Sequence, residues 1–309
     1  MARASRARGN ADNGRLPHRG RTAQHREMVG AFADAAGSGR GGPTPAADST
    51  AGRGRGVPDR AYHVRGAQAH PHRSRVTFDD LPTLRAVPTV TAAQMAEVDR
   101  ITAQDLHIPV EILMEDASRQ IAVAARAFLG GSVSGKRIVG LVGTGNNGGD
   151  TAGALRHLIG WGARVAAEVA APQERAHEIT RVQIGRLLLV TASPVAVVHY
   201  ASQSGARDLE ADLILDGLLG YSARGAPRGT VATLIDVANA STRPILAIDL
   251  PSGIDPDSGA VPGPAIRAAA TVTLALPKTG LLTPAGATYV GTLLLADVGI
   301  PHVAFSRIG

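Results

Sequence analysis

RIVGLVGTGNNGGDTAGALRHLIGWG, residues 137–162, runs from an apolar stretch into a helix-like one through nine positions, 143–151, that hold four glycines, two asparagines and a carboxylate. A short apolar strand, a Gly-rich turn and an amphipathic helix in that order form the opening unit of a parallel α/β sheet. Gly143, Gly145 and Gly148 satisfy G-x-G-x-x-G, and Glu168 stands twenty residues after Gly148. On pattern alone this is a nicotinamide-dinucleotide fingerprint. Asp150 argues against its plain form, because a carboxylate at the helix start repels the pyrophosphate that usually sits there. The other reading of Asp150 is an N-cap that orders the loop. Asn146 and Asn147 add amide donors and oxygens that suit a hydroxyl-rich ligand or a weakly held cation. A turn that only reversed the chain would need less chemistry than this.

Outward from this stretch the pattern alternates. Helices are predicted over 91–106, opened by a Thr91/Gln94 capping box, and over 110–129 behind Pro109. After the strand at 137–142 come a helix at 150–161, a strand at 163–170, a helix at 173–189 and a strand at 195–200. A strand at 212–216, a helix at 229–240 and strands at 244–250, 270–276 and 291–298 follow. Almost wholly apolar strands between amphipathic helices imply a parallel sheet covered on both faces. The fold class is therefore α/β: a three-layer α/β/α Rossmann-like sandwich with a mostly parallel central sheet. Ligands of such sheets bind beyond the carboxyl ends of the strands, near a topological switch point.

Three strand ends carry oxygen-bearing side chains. The first delivers Asn146–Asp150, the second Asp216 and a loop punctuated by Gly217, Gly220, Gly225 and Gly229, and the third Asp249, Ser252 and Asp255. A lone Asp at a strand end is ordinarily a loop cap. Three together on one rim point instead to acid/base or cation chemistry, since buried carboxylates are costly unless paired, metal-bound or protonated. The absence of cysteine and the scattered histidines, each expected on a surface or a helix face, argue against a zinc site. An all-oxygen set with one negative charge, Asn147, Asp216 and Ser252, fits a monovalent ion better than calcium.

The net charge of +6 belongs to one end of the chain. Residues 1–86 hold 15 Arg, no Lys and seven acidic residues, whereas residues 87–309 carry 17 basic and 19 acidic residues. The segment 1–86 is rich in Gly, Ala, Ser, Pro and Arg and poor in large apolar residues, so it is expected to be a disordered tail preceding one folded domain at 87–309. No apolar run is long enough for a transmembrane helix or a secretory signal. The expectation is a cytoplasmic protein with no membrane and no specific nucleic-acid partner; nine aromatics in the whole chain offer little for base stacking.

NNGGD at 146–150, D-x-L-x-G at 216–220 and IDLPSGIDPDSG at 248–259, with LMEDAS at 113–118 and TVTLALPKTGLL at 271–282, resemble the NAD(P)H-hydrate epimerases, the YjeF N-terminal domain family. The set is specific and the likeness covers about residues 88–301. The resemblance implies a Rossmann-like α/β/α homodimer that interconverts the R and S epimers of hydrated NADH and NADPH (NADHX and NADPHX) in cofactor repair, with one potassium ion per subunit. It implies that Asn146, Asn147, Gly148, Gly149 and Asp150 hold substrate and that Gly220, Tyr221, Ser222, Ala223, Arg224, Gly225 and Ala226 line it. Asp249 would reach the nicotinamide end as the acid/base group. Asn147, Asp216 and Ser252 would bind the potassium, and Glu168 would lose its special role. Because no second phosphate loop follows the domain, the dehydratase that acts downstream is expected to be a separate protein. Lys278, in the PKTG segment, either closes the site or is an exposed solubilising lysine.

Departures from the family pattern are Thr151 after NNGGD, Asp116 and Ser118 in place of Asn and Gly, and Thr144 at a position often held by Pro. Two rivals remain: an oxidoreductase using Gly143, Gly145, Gly148 and Glu168, and a noncatalytic scaffold on the same fold.

Overall fold

The computed structural model describes Phe78 and residues 87–190, 196–201 and 209–308. The expected tail at 1–86 thus lies outside the described residues except for Phe78. Seven parallel strands form one sheet: β1 (Arg137–Val142), β2 (Arg164–Val169), β3 (Ala196–Tyr200), β4 (Leu213–Gly217), β5 (Ile245–Ile248), β6 (Ala270–Leu274) and β7 (Thr292–Ala296). Their order is β3-β2-β1-β4-β5-β6-β7 with every pairing parallel, so the switch point falls between β1 and β4. Helices α1 (Ala92–Arg100), α2 (Val110–Phe128), α3 (Asn146–Gly160), α4 (Glu178–Val190), α5 (Gly229–Ala240), α6 (Pro284–Val290) and α7 (His302–Ser306) surround it.

The central strands β4 and β5 are buried throughout because both sheet faces are covered there. Ile138, Val142, Leu213, Leu215, Leu246 and Ile248 enter one core with Ile121 of α2, Leu155 of α3 and Ile184 of α4. The intervening Val139, Leu141, Ile214 and Ile245 enter the other with Leu234 and Ile235 of α5. That two-residue alternation between layers is the pleat of the strand. The three-layer α/β/α sandwich read from the sequence is the fold observed.

Boundaries differ in informative places. NNGGD is not a loop: α3 begins at Asn146, with Gly145 as its N-cap and no side-chain cap. Asp150 is therefore inside the helix, and the N-cap reading is corrected. A helix can start this early because Gly148 lies so close to Gly143 that a Cβ on it would fall 2.1 Å from the Gly143 carbonyl oxygen. Gly148 is spent on this helix–strand approach and Gly143 also on the backbone of Leu218, whereas a Cβ on Gly145 would meet nothing within 4 Å.

The helix read over 91–106 is α1 followed by a π turn at Ile101–Asp105. Its capping box is present: Gln94 N donates to Thr91 Oγ1 at 3.2 Å and Thr91 N to Gln94 Oε1 at 2.9 Å. β5 and β6 stop short of the predicted ends because the backbone turns sharply at Asp249 and Ala275, where φ is 66° and 64°. α6 and α7 went unpredicted; with seven and five residues they are too short to show a period.

Candidate active site

Asn146–Asp150 form the first turns of α3 shortly beyond β1, Asp216 is the last residue but one of β4 and Asp249 follows β5. Since β1, β4 and β5 are neighbours, the three motifs meet on one rim at the switch point. A cavity of about 370 Å³ opens there. Asn146, Asn147, Asp150, Gly220, Tyr221, Ser222, Ala223 and Asp249 line it. Gly148, Gly149, Arg224, Gly225 and Ala226 do not. Gly148 faces Gly143, and a Cβ on Gly149 would meet the end of Met114 at 2.7 Å. Arg224 is exposed and donates to the Tyr221 and Ala223 carbonyls at 2.7 and 2.9 Å.

Asn147, Asp216 and Ser252 converge beside the cavity. Asp216 is fully buried, with Ser252 Oγ donating to its Oδ1 at 2.7 Å, Ser252 N to Oδ2 at 2.8 Å and Leu218 N to Oδ1 at 3.3 Å. Leu219 ties the set together: its N donates to Ser252 Oγ at 3.0 Å and its carbonyl accepts from Asn147 Nδ2 at 2.7 Å. Asn147 Nδ2 also donates to the Ile248 carbonyl at 2.9 Å. Both amide hydrogens are thus committed, leaving the amide oxygen as the end free for a ligand. Burial pushes the Asp216 carboxyl up to about 6 against the lowering by its bonds from Ser252 and Leu218. One carboxylate among neutral oxygens is a donor set for a singly charged hard cation. Among the described residues no group of three or more His, Cys, Asp or Glu is placed to hold a metal ion.

The cavity's titratable wall is richer than the sequence implied. Lys278 is 1% exposed, and its ammonium donates to Asp249 Oδ1 and, at 3.0 Å, to the Leu274 carbonyl. The solubilising-lysine reading is thereby corrected. Asp99, absent from the expected set, comes from α1 and accepts from the Tyr221 hydroxyl at 2.5 Å. Its one sequence signal is its place four residues after Met95, which lines the same cavity. Burial raises the Asp99 carboxyl, opposed by Tyr221 and Lys278. Asp150, 7% exposed, is held well above the ordinary carboxylate value by burial first and then by the charges of Asp249 and Asp99. Burial and the Asp99 charge push the Tyr221 hydroxyl up. Three carboxylates around one ammonium favour keeping a proton on one of them.

The departures from the family pattern fit their surroundings. Thr151 is fully buried and points at the sheet, donating to the Asn147 carbonyl at 2.8 Å in space that the missing Cβ of Gly217 leaves open. Ser118 donates to the Asp150 carbonyl at 3.1 Å and is accommodated by Gly153. Asp116 Oδ2 would lie 2.9 Å from a Cβ on Gly299. Thr144 lines the cavity.

Glu168 lies elsewhere: it is buried, pairs with His199 across β2 and β3, and does not line the cavity. His199 is likewise a buried strand residue, contrary to the expectation of a surface or helix position. Another histidine, His177, does reach the cavity, with Nδ1 3.3 Å from Asn146 Oδ1. Among the described residues no helix is long and apolar enough to cross a membrane.

Comparison with known proteins agrees with this geometry. The family model for the YjeF-related protein N-terminus matches residues 110–280. The chain is 39% identical over 225 residues to the NAD(P)H-hydrate epimerase of Dehalogenimonas lykanthroporepellens, covering 73% of this chain and 87% of the relative. It is 37% identical over 217 residues to that of Limosilactobacillus fermentum, covering 67% and 95%. Against the bifunctional NAD(P)H-hydrate repair enzyme of Moorella thermoacetica, identity is 37% over 220 residues, covering 69% of this chain and 41% of that longer protein. Among solved structures, yeast ynu0 superposes with a TM-score of 0.59 at 25% identity, over 72% of this chain and 94% of that one. With the switch-point cavity, the three strand-end motifs and these relatives in agreement, the chain belongs to the YjeF-related N-terminal family.

Proposed function

We propose that this chain is an NAD(P)H-hydrate epimerase that interconverts the R and S forms of hydrated NADH and NADPH in nicotinamide cofactor repair. The observation that carries the reading is Asp249, a buried carboxylate facing the same cavity as the first turns of α3 in a chain whose relatives bear that name. Inverting the hydroxylated carbon beside the ring nitrogen requires a bond at that carbon to break and re-form on the other face. In the ring-opening route Asp249 accepts the hydroxyl proton, the O–H electron pair becomes a carbonyl, and the carbon–nitrogen bond breaks with its pair on nitrogen. Asp150, whose carboxyl is raised well above the ordinary value by burial and by the charges of Asp249 and Asp99, supplies the proton that nitrogen takes up. Rotation about the adjacent carbon–carbon bond and reversal of both transfers give the other epimer, with no net proton or electron change.

Asn147, Asp216 and Ser252 are the residues that would hold a potassium ion, and their oxygen chemistry and single charge fit one. Such an ion would orient the ligand and balance the Asp216 charge. Asn146 and Asp150 from α3 and Gly220–Ala223 from the β4 loop bind and orient the substrate in this reading. A cytoplasmic homodimer whose product passes to a dehydratase belongs to the same proposal.

The test is to mix the purified R epimer with protein and follow S-epimer formation by chromatography, with Asp249→Asn as control. Interconversion by the wild type that is lost in the variant is expected. Wild-type protein that leaves the spontaneous rate unchanged would remove the assignment. An oxidoreductase would instead consume NADH with a turnover-dependent absorbance change.

A further inference from the structure

Asp249 and Lys278 are brought together by two strained turns. Leu250 N donates back to the Ile248 carbonyl at 2.8 Å around Asp249, and Leu276 N to the Leu274 carbonyl at 2.9 Å around Ala275. Both central residues have positive φ, 66° and 64°. An i to i+2 hydrogen bond closed around a positive-φ residue is the rarer, strained form of γ-turn. Two of them stand at the carboxyl ends of adjacent strands, β5 and β6. Non-glycine strain of this kind persists only where the surroundings over-determine it, and it concentrates at functional sites.

The turns set the side chains. The second carries the chain through Pro277 to Lys278, whose segment is pinned on both sides: Val90 N donates to the Pro277 carbonyl and Thr279 N to the Val90 carbonyl, each at 3.0 Å. Lys278 reaches back so that two of its three N–H groups go to Asp249 Oδ1 and the Leu274 carbonyl. Leu274 N also donates to Asp249 Oδ1, at 3.3 Å. One carboxylate oxygen therefore has two donors, while Oδ2 has no hydrogen-bond partner among the described residues. Lys278 itself lines the cavity beneath the Tyr221 ring, with Nζ 5.7 Å from the ring centroid.

We propose that Lys278 is a positioning residue of the epimerase: its ammonium clamps Asp249 Oδ1 so that Oδ2 is presented to the hydroxyl proton of the substrate. This rests on the epimerase reading above. A buried ammonium with nothing to position would be costly, and a surface ion pair would do as well for solubility. A clamp worth this burial is one whose geometry matters, since misplacing a catalytic group by about 1 Å costs on the order of 10²-fold in rate.

The absence of cysteine from the whole chain makes the experiment clean. In Lys278→Cys the single thiol is alkylated with 2-bromoethylamine, which rebuilds an ammonium of nearly the original length, or with iodoacetamide, which leaves a neutral side chain. The expected result is a kcat about 100-fold below wild type for Lys278→Cys with KM within about threefold, recovery of at least tenfold after aminoethylation, and none after carbamoylmethylation. Lys278→Met, apolar and of similar length, provides the second variant and is expected to show the same loss of kcat at unchanged KM. Either variant turning over within threefold of wild type overturns the proposal, as does equal recovery with the neutral reagent. Because wild-type turnover is measured alongside, failure of the epimerase reading itself would show as an inactive wild type.

Discussion

Asp249 and Ala275 occupy the same left-handed backbone conformation at the ends of adjacent strands, φ 66° and 64°, and the hydrogen bond from Leu274 N to Asp249 Oδ1 links the two turns. The left-handed region costs an L-residue about 1–2 kcal/mol, and a β-branched side chain there is worse. Ala275→Val is therefore expected to lower the unfolding midpoint in urea by about 1–2 kcal/mol of stability. Ala275→Gly should stay within about 1 kcal/mol of wild type, since relief of strain is offset by glycine's unfolded-state entropy. Equal stability of the valine and glycine variants would show that the turn carries no strain.

A potassium ion held by Asn147, Asp216 and Ser252 would stabilise the folded state by mass action, about 2.7 kcal/mol at a hundredfold excess over Kd. Thermal melts in potassium chloride and in choline chloride at equal ionic strength measure this. A higher Tm in potassium is expected for wild type and no difference for Asp216→Asn. Identical melting of the wild type in both salts would refute the ion assignment.

Asp150 predicts a pH effect. Its folded-state carboxyl lies well above the ordinary value, so it contributes stability that is fully present below about pH 4 and is lost as pH rises through the folded value. Asp150→Asn cannot ionise and loses that component. As pH rises above about 4, wild-type stability should fall relative to the variant's; parallel curves would mean that the Asp150 carboxyl is not raised in the folded state.

Ser118 and Gly153 form a coupled pair between α2 and α3: a Cβ on Gly153 would lie 2.1 Å from Ser118 Oγ. Gly153→Ala alone is expected to destabilise by about 1–3 kcal/mol through overpacking. In a Ser118→Gly background the same change should stabilise, approaching the helix-propensity gain of about 1 kcal/mol. Additive effects in the double-mutant cycle would dispose of the packing argument.

Glu168, the residue a dinucleotide-binding oxidoreductase would require, is engaged with His199 outside the cavity. Glu168→Gln should leave the epimerisation rate within about threefold of wild type. Because it disturbs a buried hydrogen bond, it should cost about 1–3 kcal/mol of stability. A selective loss of activity in a protein that melts normally would return Glu168 to the site.

The layering of the sheet was legible in the sequence because burial on both faces leaves a local trace. The strands are short runs rich in Val, Ile, Leu and Ala, and the capping box at Thr91 announces α1 within three residues. The rim was legible too, since a residue at a strand's carboxyl end is placed by the strand that precedes it; this is why Asn147, Asp216, Asp249 and Ser252 could be named from three motifs. What only the tertiary structure decided is everything that depends on a distant partner. Lys278 read equally well as surface or site because its partner Asp249 lies 29 positions away. Asp99 gave little sign because the hydroxyl it accepts from is 122 positions away. The early start of α3 depends on the close approach of Gly148 to Gly143, and Glu168 satisfied a spacing rule while its side chain was taken up by His199 in the next strand. Periodicity records which face of an element is buried, whereas the cost of burying a charge is met by whichever partner the folded chain brings to it.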